Sequence, residues 1–337
     1  MDQYPDGAPK APKHSYQHSV HGITKNDNYY WLRERENPEV INYLKAENDY
    51  LEKVMKPHAP LQQELFEEMK GRLKPTDLSV PYALRGYWYY VRYEEGKEYP
   101  IYCRKTHLDS SEEEIILDVN QEAQGHDYFH EMGLTVSPDN HWLALGIDRL
   151  GRRQYTLKVK NLSTGAWLEF EEANTDGSYA WAADNQTLFF NRKDEETLRT
   201  HQIWRCRPFD SSQAELVVEE KDEAFQIDLS KSQDDAYILL SSISTLQTEV
   251  WYISATQPAD APKPLSPRQG EHLYYADHFQ GSFYLLSNWK AKNFKIVRCL
   301  PGQENPNDWE TILAEQNQSL LEGMHLNTHG IVVEERR

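Results

Sequence analysis

The chain has 337 residues, and its 54 acidic side chains against 36 basic ones give a formal net charge of −18. That balance argues against sequence-independent affinity for nucleic acid or for an anionic membrane surface. An aromatic content of 12% and a hydrophobic content of 39% exclude a disordered chain. No apolar run approaches the roughly 20 residues of a membrane helix, and the start, MDQYPDGAPKAPK, lacks the apolar core of a signal peptide, so the expected setting is the cytoplasm.

In chain order, Met1 to Lys25 carries Pro and His without periodicity and reads as an extended arm. His14, His18 and His21 have a spacing that could suggest a metal site. Pro9, Pro12 and Gly22 bracket them and no Cys, Asp or Glu lies among them, so an incidental or structural role is expected and no metal is assigned. Asn37-Pro38-Glu39 is a helix start, with Asn as cap and Pro at the first helical position, and Val40, Ile41, Leu44, Leu51 and Met55 follow at helical spacing. Pro57 ends this helix. Pro60 opens a second amphipathic one, carrying Leu61, Leu65, Phe66 and Met69, which Gly71 closes.

From about residue 76 the pattern changes to strands. Ser137-Pro138-Asp139-Asn140 supplies a type I turn, with Pro setting φ and Asp and Asn able to bond nearby amides. Trp142, Leu143, Leu145 and Ile147 form a first strand. Tyr155, Leu157 and Val159 alternate with polar neighbours in a second, and Asn161 to Gly165 turns the chain again. This phrase recurs. Its second strand aligns at Ile101, Leu157, Ile203, Val250 and Ile296, with steps of roughly 56, 46, 47 and 46 residues, the interval of propeller blades. Five four-stranded units are expected, at about 78–120, 133–170, 178–219, 225–265 and 273–313, with half of a sixth from Leu320 onward. The fold class expected is therefore mainly β: an incomplete β-propeller of five blades and half a sixth at residues 76–337, preceded by an arm and two α-helices at residues 1–75. Repeat arrays end in caps rather than in mid-unit, so the chain reads as the front portion of something longer.

Chemistry is sparse. No G-x-S-x-G elbow, G-x-G-x-x-G or phosphate loop occurs, and His130-Glu131 does not continue into H-E-x-x-H because Leu134 stands at the second His position. No catalytic residue and no cofactor is assigned. Cys103, Cys206 and Cys299 are odd in number and widely spaced, which suggests neither a disulfide framework nor a zinc site. One stretch is unusual, Asp148-Arg149-Leu150-Gly151-Arg152-Arg153-Gln154, because it puts three arginines into one hairpin of an acidic chain. Residue types leave two readings open: a solvated loop paired with nearby acids, or guanidinium forks that latch onto another domain or hold a peptide's C-terminus.

Several motifs occur in order at consistent distances: Asp27-Asn28-Tyr29-Tyr30-Trp31-Leu32-Arg33, Asn37-Pro38-Glu39-Val40, Val80-Pro81-Tyr82, Glu98-Tyr99-Pro100-Ile101-Tyr102, Arg152-Arg153-Gln154-Tyr155, Asn288-Trp289 and Val332-Val333-Glu334-Glu335-Arg336. Together they resemble the oligopeptidase B branch of the prolyl oligopeptidase family of serine peptidases, from about His21 to Arg337. The resemblance implies a propeller joined to an α/β-hydrolase domain that carries the Ser-Asp-His triad and selects Lys or Arg before the cut. It implies that the N-terminal helices pack on that domain and that the propeller restricts access to short peptides. It also implies that Arg152 and Arg153 face the hydrolase domain as an interdomain latch. None of the triad falls on these residues, so the chain alone is expected to be inactive. The partners expected are the hydrolase domain and short basic peptides, with neither nucleic acid nor membrane. The rival reading is a free-standing propeller that serves as an interaction scaffold and closes its own ring.

Overall fold

The computed structural model describes residues 7–210 and 212–337, which form two compact units that divide between Pro75 and Thr76. In the first unit, a hairpin of β1 (Tyr16–Val20) and β2 (Ile23–Asp27) precedes a single 3-10 turn at Tyr30–Arg33. The extended arm expected over Met1 to Lys25 is corrected here: its first six residues lie outside the described ones, and residues 16–27 pair. The cause is local. His21 and Gly22 both take positive φ, 54° and 77°, the two-residue loop whose twist matches that of paired strands. The Ser19 and Thr24 hydroxyls bond across the hairpin at 2.7 Å, and Tyr16 stacks on Tyr30 at 3.8 Å.

The helix α1 (Pro38–Met55) begins at the residues its sequence indicates: the Asn37 side chain accepts from the Glu39 amide at 2.9 Å, and Pro38 occupies the first turn. A 3-10 turn at Lys56–His58 separates it from α2 (Ala59–Gly71). Among the residues of α1 only Val40 is buried, and α2 buries none. Leu44, Leu51, Leu61, Leu65, Phe66 and Met69 are all exposed.

The second unit is built of antiparallel sheets taken up in chain order. The first holds β3 (Tyr82–Leu84), β4 (Tyr87–Arg92), β5 (Ile101–Lys105) and β6 (Glu114–Asp118), and a short helical turn, α3 (Val119–Glu122), follows it. Next come β7 (His130–Val136), β8 (Trp142–Asp148), β9 (Tyr155–Asn161), β10 (Glu172–Trp181), β11 (Leu188–Lys193), β12 (Thr200–Cys206) and β13 (Glu215–Glu219). These seven form a single sheet. Then β14 (Gln226–Lys231), β15 (Tyr237–Ile243), β16 (Thr248–Ser254) and β17 (Lys263–Ser266) make a sheet of four. So do β18 (Tyr274–Phe279), β19 (Ser282–Ser287), β20 (Lys295–Cys299) and β21 (Glu310–Leu313). The hairpin of β22 (Leu320–Asn327) and β23 (Gly330–Arg336) follows.

The sheets thus number three of four strands, one of seven and one pair, not five separate sheets of four. The second and third expected units are joined because β10, ten residues long, pairs with β9 through Glu172 and Thr175 and with β11 through Thr175 to Trp181. A bulge between Thr175 and Tyr179 lets one strand serve both partners. Beside it, β7 approaches so closely at Gly133 that a Cβ there would lie 1.8 Å from the Gly177 carbonyl oxygen.

Each sheet packs on the next. Tyr89 and Leu117 of the first meet Val136, Leu143 and Leu145; Phe189 and Ile203 meet Ile227, Leu229 and Ile238; Leu239 and Val250 meet Tyr274, Phe283 and Leu285; Leu286 and Ile296 meet Leu321. The alternation read in the sequence explains this: every second residue of a strand faces one side, so an inner sheet with two apolar faces can pack on both neighbours. At one end the innermost hairpins repeat a single device, a four-residue turn closing in positive φ at Asn140, Asn185 and Asp235 (63°, 58° and 60°). Neighbouring turns are tied to one another: the Asp139 amide donates to Asn185 Oδ1 at 2.9 Å, and the Gln280 amide to Asp234 Oδ2 at 3.1 Å.

Candidate functional site

At the opposite end of β8 lies the arginine hairpin, and its shape is set by Asp148. This carboxylate is buried and accepts three backbone amides of its own loop, those of Leu150 at 2.8 Å, Gly151 at 3.0 Å and Arg153 at 2.7 Å. Gly151 and Arg153 take positive φ (73° and 54°), which turns those amides inward. The neighbouring hairpin fixes the stem. Lys193 Nζ donates to the Arg153 carbonyl at 2.7 Å, Gln154 donates to Asn174 Oδ1 at 3.2 Å, and Asn174 in turn donates to the Lys193 carbonyl at 2.7 Å. The backbone is held while the cationic side chains stay free.

Arg149, Arg152 and Arg153 are all exposed, and among the described residues none of them is paired with an acid. Five other arginines differ: Arg85, Arg104, Arg205, Arg268 and Arg298 each hold a carboxylate at 2.5–2.7 Å. In a chain with 18 more acids than bases, three guanidinium groups gathered on one fixed loop without partners form a surface suited to carboxylates brought from elsewhere. A solvated loop and a surface for carboxylates from elsewhere both fit three exposed arginines without an acidic partner.

The other candidates are structural. His272 Nε2 and Ser287 Oγ lie 2.9 Å apart and resemble half of a hydrolytic pair, but both are buried and the ring is wedged among Tyr274, Trp289 and Trp309. Burial pulls the His272 pKa down to about 4, so the ring is neutral and closed to substrate. The three thiols are buried and unpaired, and burial pushes Cys103 and Cys299 up to about 12 and Cys206 higher still, which leaves no thiolate for chemistry. His130 Nδ1 meets the Tyr155 hydroxyl at 3.2 Å, and His14 meets Glu39 at 3.1 Å. His18 stands on β1 and His21 in the turn after it. Among the described residues no three His, Cys, Asp or Glu side chains gather as metal ligands, and no helix is long and apolar enough to cross a membrane.

Two features escaped the sequence reading. Asp148 was visible only as a loop acid, although an Asp two and three residues before amides that it can cap is a usable signal. The cluster of Arg85, Lys231 and Asp235 joins residues 150 positions apart, and no local pattern announces it.

The family described as prolyl oligopeptidase, N-terminal beta-propeller domain, matches residues 9–337. The chain belongs to the prolyl oligopeptidase family. The stacked sheets of the second unit are that family's propeller, and residues 9–337 are accounted for without its catalytic domain. Among relatives of this prolyl oligopeptidase chain, dipeptidyl aminopeptidase BI of Pseudoxanthomonas mexicana is 37% identical over 94% of the chain and 46% of the relative. Protease 2 of Moraxella lacunata is 33% identical over 86% of the chain and 43% of the relative. In structure, oligopeptidase B from Leishmania major superposes with a TM-score of 0.91 at 26% identity, over 98% of this chain and 49% of that one. Oligopeptidase B from Trypanosoma brucei shares the fold with a TM-score of 0.88 at 22% identity. The chain therefore spans about half the length of the relatives it matches.

Proposed function

We propose that this chain is the propeller portion of an oligopeptidase B-like serine endopeptidase that, in full length, cleaves short cytoplasmic peptides after Lys or Arg. The observation that carries the reading is the match to oligopeptidase B over nearly all of this chain and only half of that one, beside a relative named as a peptidase at 37% identity. In this reading residues 76–337 contribute their stacked sheets to a ring that the remaining chain completes. The propeller supplies no chemistry; it is a steric filter that admits short unfolded peptides and keeps folded proteins from the nucleophile. Acyl-enzyme hydrolysis belongs to the α/β-hydrolase domain.

Two surfaces support the presence of that domain. The first is the arginine hairpin, where Arg152 and Arg153 would latch onto its carboxylates. The second is the pair of N-terminal helices, whose leucines, Phe66 and Met69 lie open and would be covered by it. The test is an assay of the full-length gene product and of this chain on fluorogenic substrates ending in Arg-Arg or in Gly-Pro. Turnover of the arginine substrate by the full-length product alone is expected. Cleavage after Pro, or turnover by the isolated chain, overturns the reading.

A further inference from the structure

A cavity of about 500 Å³ opens within the second unit among the first sheet, the strands β7 and β8, and the turn between β14 and β15. Its walls are aromatic and aliphatic, built by Tyr82 and Tyr89, which stack at 5.6 Å, with Leu84, Val136 and Leu143. Its charged lining consists of Arg85, Lys231 and Asp235. One oxygen of Asp235 takes both Nε and a terminal nitrogen of Arg85, at 2.9 and 2.5 Å, while a third Arg85 nitrogen donates to the Val136 carbonyl at 3.0 Å. The Arg85 group is thereby satisfied. Lys231 is satisfied only in part: its Nζ is shielded from solvent and ion-paired with Asp235 Oδ1 at 3.0 Å, without a well-aligned hydrogen bond. One carboxylate oxygen serves at most one of its three N–H donors, and the rest are costly to leave unmet in such a place, while burial draws the Lys231 pKa below the ordinary lysine value against the pull of Asp235.

We propose that this cavity is a binding site for a monocarboxylate with an apolar or aromatic body, whose carboxylate is taken by Lys231 and whose body lies against Tyr82, Tyr89 and Leu84. Two cations against one anion leave a single net positive charge, which matches one carboxylate and disfavours a dianion such as phosphate because Asp235 would repel the second charge. The volume lies within the range of about 300–1,000 Å³ common to small-molecule sites, and few polar groups set in apolar walls are their usual lining. Either a free carboxylic acid or the C-terminal end of a peptide carries this chemistry. The inference does not depend on the peptidase reading.

Saturation-transfer NMR on the 337-residue chain tests it with 3-phenylpropionate, its neutral amide and inorganic phosphate. The acid is expected to bind with a Kd of about 1 mM or tighter, the amide at least tenfold more weakly, and phosphate not at all. A tetrapeptide ending in Leu-Phe, compared with its C-terminal amide, separates the two sources: tighter binding of the free-ended peptide than of phenylpropionate assigns the site to peptide ends, and the reverse assigns it to small acids. Lys231→Met is expected to abolish the preference for acid over amide, and Lys231→Arg to restore it. If acid and amide bind equally, or neither binds at 10-fold above the expected Kd, the proposal is wrong, whatever the folding of the variants.

Discussion

Replacing Gly133 with Ala tests the crossing of β7 and β10 directly. The added methyl carbon would meet the Gly177 carbonyl oxygen at 1.8 Å, the Gly177 carbonyl carbon at 2.8 Å and Tyr179 Cδ2 at 2.8 Å, and the first two are backbone that cannot rotate away. The residue also sits at φ +72°, where a side chain costs roughly 1–2 kcal/mol. Overpacking of a rigid site adds about 1–3 kcal/mol, so the loss should be about 2–5 kcal/mol. Gly165 supplies the control, since it has nearly the same φ, +73°, with nothing within 4 Å of its Cβ position. Gly165→Ala should cost only the conformational part, roughly 1–2 kcal/mol. Urea unfolding of the two variants, with equal m-values required, reads the difference. If both lose the same stability, β7 and β10 do not approach at Gly133 as closely as described.

Asp148→Ala removes the acceptor of three loop amides and should cost about 2–4 kcal/mol, with hydrogen exchange accelerated first at Leu150, Gly151 and Arg153. Replacing Arg152 and Arg153 together by Glu should leave the melting of this chain within about 0.5 kcal/mol, because neither guanidinium has an acidic partner to lose; in the full-length product the same change should lower peptidase activity, and unchanged activity would remove the latch. His272, with its folded pKa depressed from 6.5 to about 4, binds a proton more readily when unfolded. Its contribution is therefore complete above pH 6.5 and is lost as pH falls toward 4, a fall on the order of 2–3 kcal/mol. The stability profile of His272→Phe between those limits should be flatter, and an unaltered slope would assign the effect to other groups.

The β-repeat and the first helix were legible because their causes are local. Asn37 caps, Pro38 starts and Pro57 interrupts, and each acts within a turn of the chain. The 46-residue interval was legible because each sheet solves the same packing problem with the same alternation. The hairpin at residues 16–27 was missed because polar, exposed strands carry no apolar alternation, and only His21-Gly22 held the signal. The merging of the second and third units was missed for a different reason. Residues 171–177, left between the second and third units, include Asn174, Asp176 and Gly177, whereas in the structure a buried Thr175 bonds the Tyr155 carbonyl at 2.9 Å and the bulge absorbs the irregularity. At the arginine hairpin the sequence showed which residues were unusual; whether nearby acids neutralise them depended on distances that only the folded backbone sets.

The shared strand β10 has a mechanical consequence. Stacked repeats ordinarily come apart one at a time, since each touches only its neighbours. Here a ten-residue beam runs from one repeat into the next, so fraying that begins at β13 cannot halt at the border between them without tearing a continuous backbone ladder. Residues 130–219 should consequently melt, exchange and resist pulling as one block, the stiffest span of the propeller, to either side of which smaller units can loosen independently.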